Sequence, residues 1–404
     1  MKNKTISFKN SKGVMLSGKL ELPANQHPIA YALFAHCFTC NKNLTPVRNI
    51  SRALTLQGFG VIRFDFTGLG QSEGDFSDTN FSSNIQDLED VANYMALELE
   101  APKLIIGHSL GGAAAIYAAR KISSVDAVAT IGAPSSPQHV QHLFKNGLEA
   151  IEANGKAMVN IGGRPFAIAK QFIEDLSSKN MSAIVKSLRK PLLILHSPQD
   201  TTVGIKNAAE IYAEAMHPKS FVSLDGADHL LSDKEDSAYV GNLIAQWASR
   251  YIKKEDKKKL TTSKQVVVQI GNESLTTSIL AAGHPLIADE PESVGGNNFG
   301  PAPYDLLLSS LGACTAMTLR LYANLKKWDL KEVIVHLTHG KDYIKDCMES
   351  DEKKSKIDHI TKNIELIGDL DEAQKKRLLE IADKCPVHKT LHQSVVVTSS
   401  LIVS

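Results

Sequence analysis

Gly107-His108-Ser109-Leu110-Gly111 stands between an apolar run, KLIIGH (103–108), and a helix-forming run, GGAAAIYAARKI (111–122). This constrains the 404-residue chain more than any other feature. The pentapeptide alone is a weak pattern, because glycine and serine are common; its position between strand and helix gives it weight. A serine on so sharp a turn has strained backbone angles, and small neighbours let the two segments pass each other. The turn lifts the hydroxyl above the sheet. It also aims the Leu110 N–H, at a helix N-terminus, toward a developing oxyanion. A strand apolar along its whole length is covered on both faces, so the sheet is mostly parallel with helices on both sides.

The neighbouring segments fit that plan. IAYALFAH (29–36), GVIRFDF (60–66), DAVATIGA (126–133) and KPLLILHS (190–197) are further short apolar strands. Phe81, Ile85, Leu88, Ala92, Met95 and Leu99 recur at helical spacing between two of them. Only about 4–8 and 14–22 alternate, as an antiparallel edge hairpin does. A serine hydroxyl needs a base, and the base needs an orienter. Asp200 follows one strand in HSPQDTTV, and His229 lies in DGADHLL after another, KSFVSLDG. Singly, Asp200 reads as a turn residue or helix N-cap and His229 as a loop histidine. In the order Ser, Asp, His, each after a strand, they are expected to be the catalytic residues.

Residues 134–189 exceed what one crossover helix needs and are read as a cap that sets substrate choice. Gly162-Gly163 in AMVNIGGRPFAI suits a hairpin turn. His139 and His142 have no third ligand nearby and are read as surface residues; no metal and no cofactor are expected. Cys37-x-x-Cys40 invites a redox reading, but it occupies a loop after a strand and has no second pair for zinc, so that reading is disfavoured and the role of the pair stays open. Asp65, in RFDFTGLGQSEG, is read as a turn residue.

The lysine-rich segment YIKKEDKKKLTTSKQ (251–265) marks a boundary. The expected domains are 1–253 and 265–404, with a linker at 254–264. After it the alternation stops. A hairpin is expected around Gly271-Asn272, then a buried helix, PYDLLLSSLGACTAMTLRLYANL, apolar on nearly all sides. Strands at about 330–339 and 357–367, an amphipathic helix from Asp371 to Lys384 ended by Pro386, and a last strand, SVVVTSSLIV, follow. That order predicts an α+β domain. Cys314 lies in the buried helix and Cys385 at the end of the amphipathic one; each alone reads as a small buried hydrophobe. Cys347 lies in a charged run, read as an exposed loop.

Composition narrows function. A net charge of +1 makes no case for nucleic acid or a membrane surface. No stretch is read as reaching the roughly 18 to 20 apolar residues of a membrane span. MKNKTISFKN lacks the apolar core of a signal peptide. Five cysteines do not make a disulfide framework, and a reducing cytoplasm is the expected location.

HCFTCNKN, RFDFTGLGQSEGDFSDTNFSSN and GHSLGG resemble the serine-aminopeptidase-like (S33-type) α/β-hydrolases. GPAPYDLLLSSLGACTAM and KCPVHKTL resemble the OsmC/Ohr thiol peroxidases. The whole chain resembles bacterial bifunctional alpha/beta hydrolase/OsmC family proteins. The resemblance implies an α/β-hydrolase fold followed by an α+β OsmC-like domain, and a small ester or acyl substrate. Many hydrolases of this fold have His-Gly where this chain has His36-Cys37, so the match makes the Phe38 N–H the second oxyanion donor beside Leu110. In the peroxidases the residue matching Cys314 attacks an organic hydroperoxide and that matching Cys385 resolves the product, with a dithiol reductant restoring both. Their supporting arginine has no counterpart between Leu260 and Cys314. Asp305 stands about where their glutamate does, and Arg320, six residues from Cys314, is the candidate substitute. OsmC-like domains are generally intertwined dimers, which implies a homodimer. Three readings stay open: a serine hydrolase with a companion domain, a thiol peroxidase with an accessory hydrolase, and a hydrolase with a non-catalytic dimerisation module.

Overall fold

The computed structural model describes residues 3–23, 28–161, 164–252, 260–271, 275–343 and 356–402. They form two compact units, Met1–Pro285 and Leu286–Ser404. The division follows Pro285, later than the expected linker at 254–264, of which residues 254–259 lie outside the described ones.

The first unit opens with the expected hairpin, β1 (Asn3–Lys9) antiparallel to β2 (Met15–Glu21). Then β3 (Ala30–Ala35), α1 (Thr45–Leu56), β4 (Phe59–Phe64), α2 (Phe81–Glu98), β5 (Leu104–His108), α3 (Leu110–Lys121) and β6 (Ala127–Ile131) alternate. The insertion carries a 3-10 helix (Pro137–Gly147), α4 (Leu148–Asn154), β7 (Lys156–Ile161), β8 (Arg164–Ala169), α5 (Lys170–Ser177) and α6 (Met181–Ser187). The unit continues with β9 (Leu192–His196), α7 (Lys206–Glu214), β10 (Lys219–Ser223) and α8 (Lys234–Ala248). The sheet order is β1-β2-β4-β3-β5-β6-β9-β10, parallel from β4 to β10.

Strands β3, β4, β5, β6 and β9 are buried along their whole length, as their unbroken apolar runs require. Alternate residues feed two cores. Phe34, Val61, Ile106 and Leu195 pack with α1 and α8 on one face; Leu33, Ile62, Ile105 and Ile194 pack with α2 and α3 on the other. In the insertion, β7 pairs antiparallel with β8, and Val159, Ile168, Phe172 and Leu176 join the second core. The Gly162-Gly163 turn lies outside the described residues.

Charges buried between the strands are paired. Arg63 reaches Glu21 at 2.5 Å, and Lys42 Nζ donates to Asp65, Ser17 Oγ (3.0 Å) and Gln71 Oε1 (3.0 Å). Asp65 also accepts the Lys42 N–H at 2.6 Å and the Gln71 N–H at 2.9 Å. Asp65 therefore ties the loop after β3 to the turn after β4, the structural role read from the sequence. A buried pair left without one partner costs about 3–5 kcal/mol, so these contacts hold both loops in one arrangement.

A three-stranded antiparallel sheet follows: β11 (Val266–Ile270), β12 (Thr277–Ala281) and β13 (His284–Ala288). Gly271 lies in the expected hairpin; Asn272 lies outside the described residues. The second unit contains α9 (Pro303–Lys326), the ribbon of β14 (Asp329–Tyr343) with β15 (Lys356–Asp369), α10 (Glu372–Ala382) and α11 (Pro386–Leu391). Pro386 begins α11 rather than ending α10, and Cys385 is the N-cap between the two. Cys347 lies outside the described residues.

Three expectations need correction here. Helix α9 is not buried all round: only Leu311, Gly312, Thr315, Leu319 and Ala323 are covered, while Met317, Leu321 and Leu325 are exposed. The ribbon and the two short helices cover a single stripe at i, i+4 spacing, and among the described residues of the unit the opposite face stays exposed. The same helix is long and apolar enough to cross a membrane by length and composition, contrary to the reading that no stretch is. And 394–402 is not a strand; Val396, Val397, Leu401 and Ile402 are exposed, because no described strand pairs with them.

Candidate active site

The turn between β5 and α3 gives Ser109 φ +55° and ψ −129°. A non-glycine residue there carries strain that persists only where its surroundings impose it. The surroundings are the two glycines. A Cβ built on Gly107 would lie 2.5 Å from Gly112 Cα, and one on Gly111 would lie 2.7 Å from the Ala35 carbonyl oxygen. Gly111 thus lets α3 start against the end of β3, where the His36-Cys37-Phe38 loop leaves.

Asp200 follows β9 and His229 follows β10, so both stand at the same end of the sheet as Ser109. His229 Nε2 lies 3.0 Å from Ser109 Oγ, and His229 Nδ1 lies 2.6 Å from Asp200 Oδ2. Asp200 Oδ1 accepts the N–H groups of Thr202 and Val203, each at 2.8 Å. Burial pushes the Asp200 carboxyl up, but the hydrogen bonds from His229, Val203 and Thr202 outweigh it and hold it below the usual carboxylate range. It stays an anion that orients the imidazole and keeps the proton on Nδ1. With Nε2 free to accept, the histidine can take a proton from Ser109. Phe38 and Leu110 border one small cavity with Cys37 and Gly111, and the Leu110 N–H is the first amide of α3, where no intrahelical acceptor exists.

Three buried histidines surround this group; His36 was read from the sequence as holding its loop, whereas sequence reasoning missed His108 and His196. His108 Nε2–H donates to the His229 carbonyl at 2.7 Å, and the two rings lie 5.2 Å apart. His196 Nε2–H donates to the Val203 carbonyl at 2.6 Å and fixes the loop that carries Asp200. His36 Nδ1–H donates to the Cys37 carbonyl at 2.9 Å. His108 lies inside the G-x-S-x-G motif at the end of β5 and His196 is the last residue of β9, which was the available signal. Burial holds all three below the ordinary histidine value. His139 and His142 meet edge to face within the insertion, their ring centres 4.8 Å apart, and no metal-binding group occurs among the described residues.

The structure also joins Cys37 to Cys40 by a disulfide, so the pair is oxidised rather than a free dithiol.

In the second unit the two remaining described cysteines are free. Buried Cys385 Sγ lies 3.6 Å from Thr315 Oγ1, accepts the His388 N–H at 3.3 Å and interacts with Cys314. Burial raises its thiol, but Thr315, His388, Cys314 and the Lys362 charge outweigh this and lower it. The thiols are therefore near each other, as expected. The two support candidates hydrogen-bond to the backbone. Arg320 donates to the carbonyls of Leu330 and Lys331, and Asp305 accepts the Ala302 N–H at 3.0 Å as a helix cap. A cation acting on Cys385 is Lys362, on β15; its distance in sequence hid it.

Residues 40–161 match the family described as serine aminopeptidase, S33, and residues 295–400 match OsmC-like protein. The esterase domain of a Rhodothermus marinus protein is 51% identical over 62% of this chain and 99% of that one, with a TM-score of 0.53. Est1E from Butyrivibrio proteoclasticus, solved with ferulic acid, is 19% identical over 61% of this chain and 98% of its own (TM-score 0.54), a likeness of fold. The uncharacterized protein YfhR of Escherichia coli O157:H7 is 22% identical over 59% of this chain and 78% of its own length.

Buried His108 has a consequence for stability. Burial first, and then the His229 ring, lower its imidazole to about 3. The folded state therefore resists its protonation, whereas the unfolded chain takes the proton near 6.5. The stabilisation is complete above that value and is lost as pH falls from 6.5 toward 3, by up to about 1.4 kcal/mol per pH unit. Urea unfolding of the first unit at pH 7, 6 and 5 should show a steep decline that becomes shallower by about one proton in His108→Gln. An identical decline in both proteins would refute this.

Proposed function

The chain joins an S33-type α/β-hydrolase domain to an OsmC-like domain, and from that membership we propose a bifunctional enzyme whose first domain is a serine esterase. The observation that carries the reading is the continuous hydrogen-bonded path Ser109–His229–Asp200, 3.0 and 2.6 Å long in its two links. Ser109 Oγ attacks the carbonyl of a small ester or other acyl substrate as His229 takes its proton. The oxyanion is received by the Phe38 and Leu110 N–H groups. His229 then protonates the leaving alcohol, and water, activated by the same histidine, releases the acid from Ser109. The esterase label of the 51% identical structure supports an ester over a peptide.

A fluorophosphonate probe should label Ser109, and Ser109→Ala should abolish labelling. His229→Ala should lower turnover of a p-nitrophenyl ester by at least about 10³-fold, since the base is lost. Labelling at another serine would sink the assignment.

The OsmC-like domain is proposed to reduce organic hydroperoxides. The Cys314 thiolate attacks the peroxide, giving the alcohol and a sulfenic acid. Cys385 displaces water from that sulfur to form a disulfide, and an external dithiol reduces it. The closeness of the thiols and the hydrogen bonds that lower Cys385 support this reading. Sub-stoichiometric cumene hydroperoxide should produce a Cys314–Cys385 disulfide, mapped by peptide mass spectrometry, without involving Cys347. If Cys314 stays reduced, the domain is a non-catalytic module.

A homodimer through this domain is the accompanying proposal. The uncovered face of α9 and the unpaired apolar residues of 394–402 are surfaces that a monomer leaves in water. Sedimentation of the full chain should give a dimer that dissociates when residues 394–404 are removed. A monomer at micromolar concentration would overturn it.

A further inference from the structure

The Cys37–Cys40 disulfide encloses Phe38 and Thr39, and Phe38 carries the proposed second oxyanion amide. We propose that this disulfide is a thiol–disulfide exchange site through which an external dithiol switches the esterase off. The inference rests on the serine-esterase reading.

Three observations converge on the loop. Thr39 has φ +62°; a β-branched residue in the left-handed region is an outlier that its surroundings must impose. The turn is closed by the disulfide, whose Cα atoms are 5.4 Å apart, and by the Cys40 N–H donating to the Cys37 carbonyl at 3.2 Å. The Phe38 ring is anchored separately, 5.6 Å from Phe76 and 5.4 Å from Phe172 between ring centres. Reduction removes the covalent closure and lets Thr39 relax to an ordinary backbone. Its neighbouring amide at Phe38 then turns away from the oxyanion position, although the ring keeps the loop in place.

The two sulfurs are not equivalent. Cys37 is buried and Cys40 is partly exposed. A dithiol's thiolate attacks Cys40 Sγ, breaking the S–S bond and releasing the Cys37 thiolate, which takes up a proton. The second thiol of the reductant, losing its proton, attacks the mixed disulfide and releases Cys40. Two electrons and two protons pass from the dithiol, which leaves as its disulfide, to the Cys37–Cys40 pair. The reverse exchange with a disulfide restores the closed loop.

The Ser109–His229–Asp200 path is independent of the loop, so the reduced enzyme keeps its nucleophile and loses oxyanion stabilisation. One such donor is worth about 10²–10³ in turnover, and a displaced amide should forfeit at least about tenfold in kcat with a smaller change in KM.

The test uses the full chain and p-nitrophenyl butyrate. The oxidised protein is compared with protein reduced by dithiothreitol and desalted, while alkylation and mass spectrometry report the state of Cys37 and Cys40. The expected result is a kcat at least about tenfold lower when both are thiols, restored by oxidised glutathione. Cys40→Ser should stay at the low value and not respond to reductant. Equal kcat in the two states, or a response surviving in Cys40→Ser, overturns the switch and leaves the esterase reading intact. Absence of both turnover and fluorophosphonate labelling in either state overturns the esterase reading, and the switch with it.

Discussion

Burial of the central strands on both faces is the constraint from which the first domain follows. β3, β4, β5, β6 and β9 are covered along their whole length, so each must be followed by a chain segment that crosses a face of the sheet. Parallel strands then end on the same side. The loops after β5, β9 and β10, which carry Ser109, Asp200 and His229, open at that one edge. The site is a consequence of the sheet's direction: residues 120 positions apart meet because their strands point the same way.

Inside that frame, buried polar groups are held in one protonation state and one orientation. His36, His108 and His196 are kept neutral by burial and each donates to a carbonyl of a site loop. Lys42 and Asp65 pin the loop after β3 from beneath. His229 keeps partial access to solvent while its neighbours do not. The arrangement separates one partly exposed histidine, bonded to Ser109 and Asp200, from three buried ones that donate to backbone carbonyls.

The second domain is built on a different balance. Its core is small, gathered around Leu319, Ala323, Leu378 and Ile381, and one chain leaves much of α9 and the C-terminal segment uncovered. An apolar helix with only one stripe covered exposes surface at a cost of about 25 cal/mol per Å². The thiol pair, by contrast, is assembled within the unit, with Thr315 from α9 and Lys362 from β15 converging on Cys385.

The sequence by itself determined the local pieces. The unbroken apolar runs specified the parallel strands, Gly107 and Gly111 around Ser109 specified the strained turn, and Asp200 and His229 stood in order after their strands. These signals are local because they arise from the two-residue period of a strand, the steric needs of one turn, and the chain order of loops. Tertiary structure alone decided what depends on distant neighbours. It placed Lys362 by Cys385 and Arg320 on the carbonyls of Leu330 and Lys331, turned His108 and His196 into supports, closed Cys37 onto Cys40, and left α9 half covered where its composition predicted full burial. Composition states how apolar a helix is. Only packing states which of its faces finds a partner within the same chain, and an apolar face left uncovered reads in the sequence like any other core.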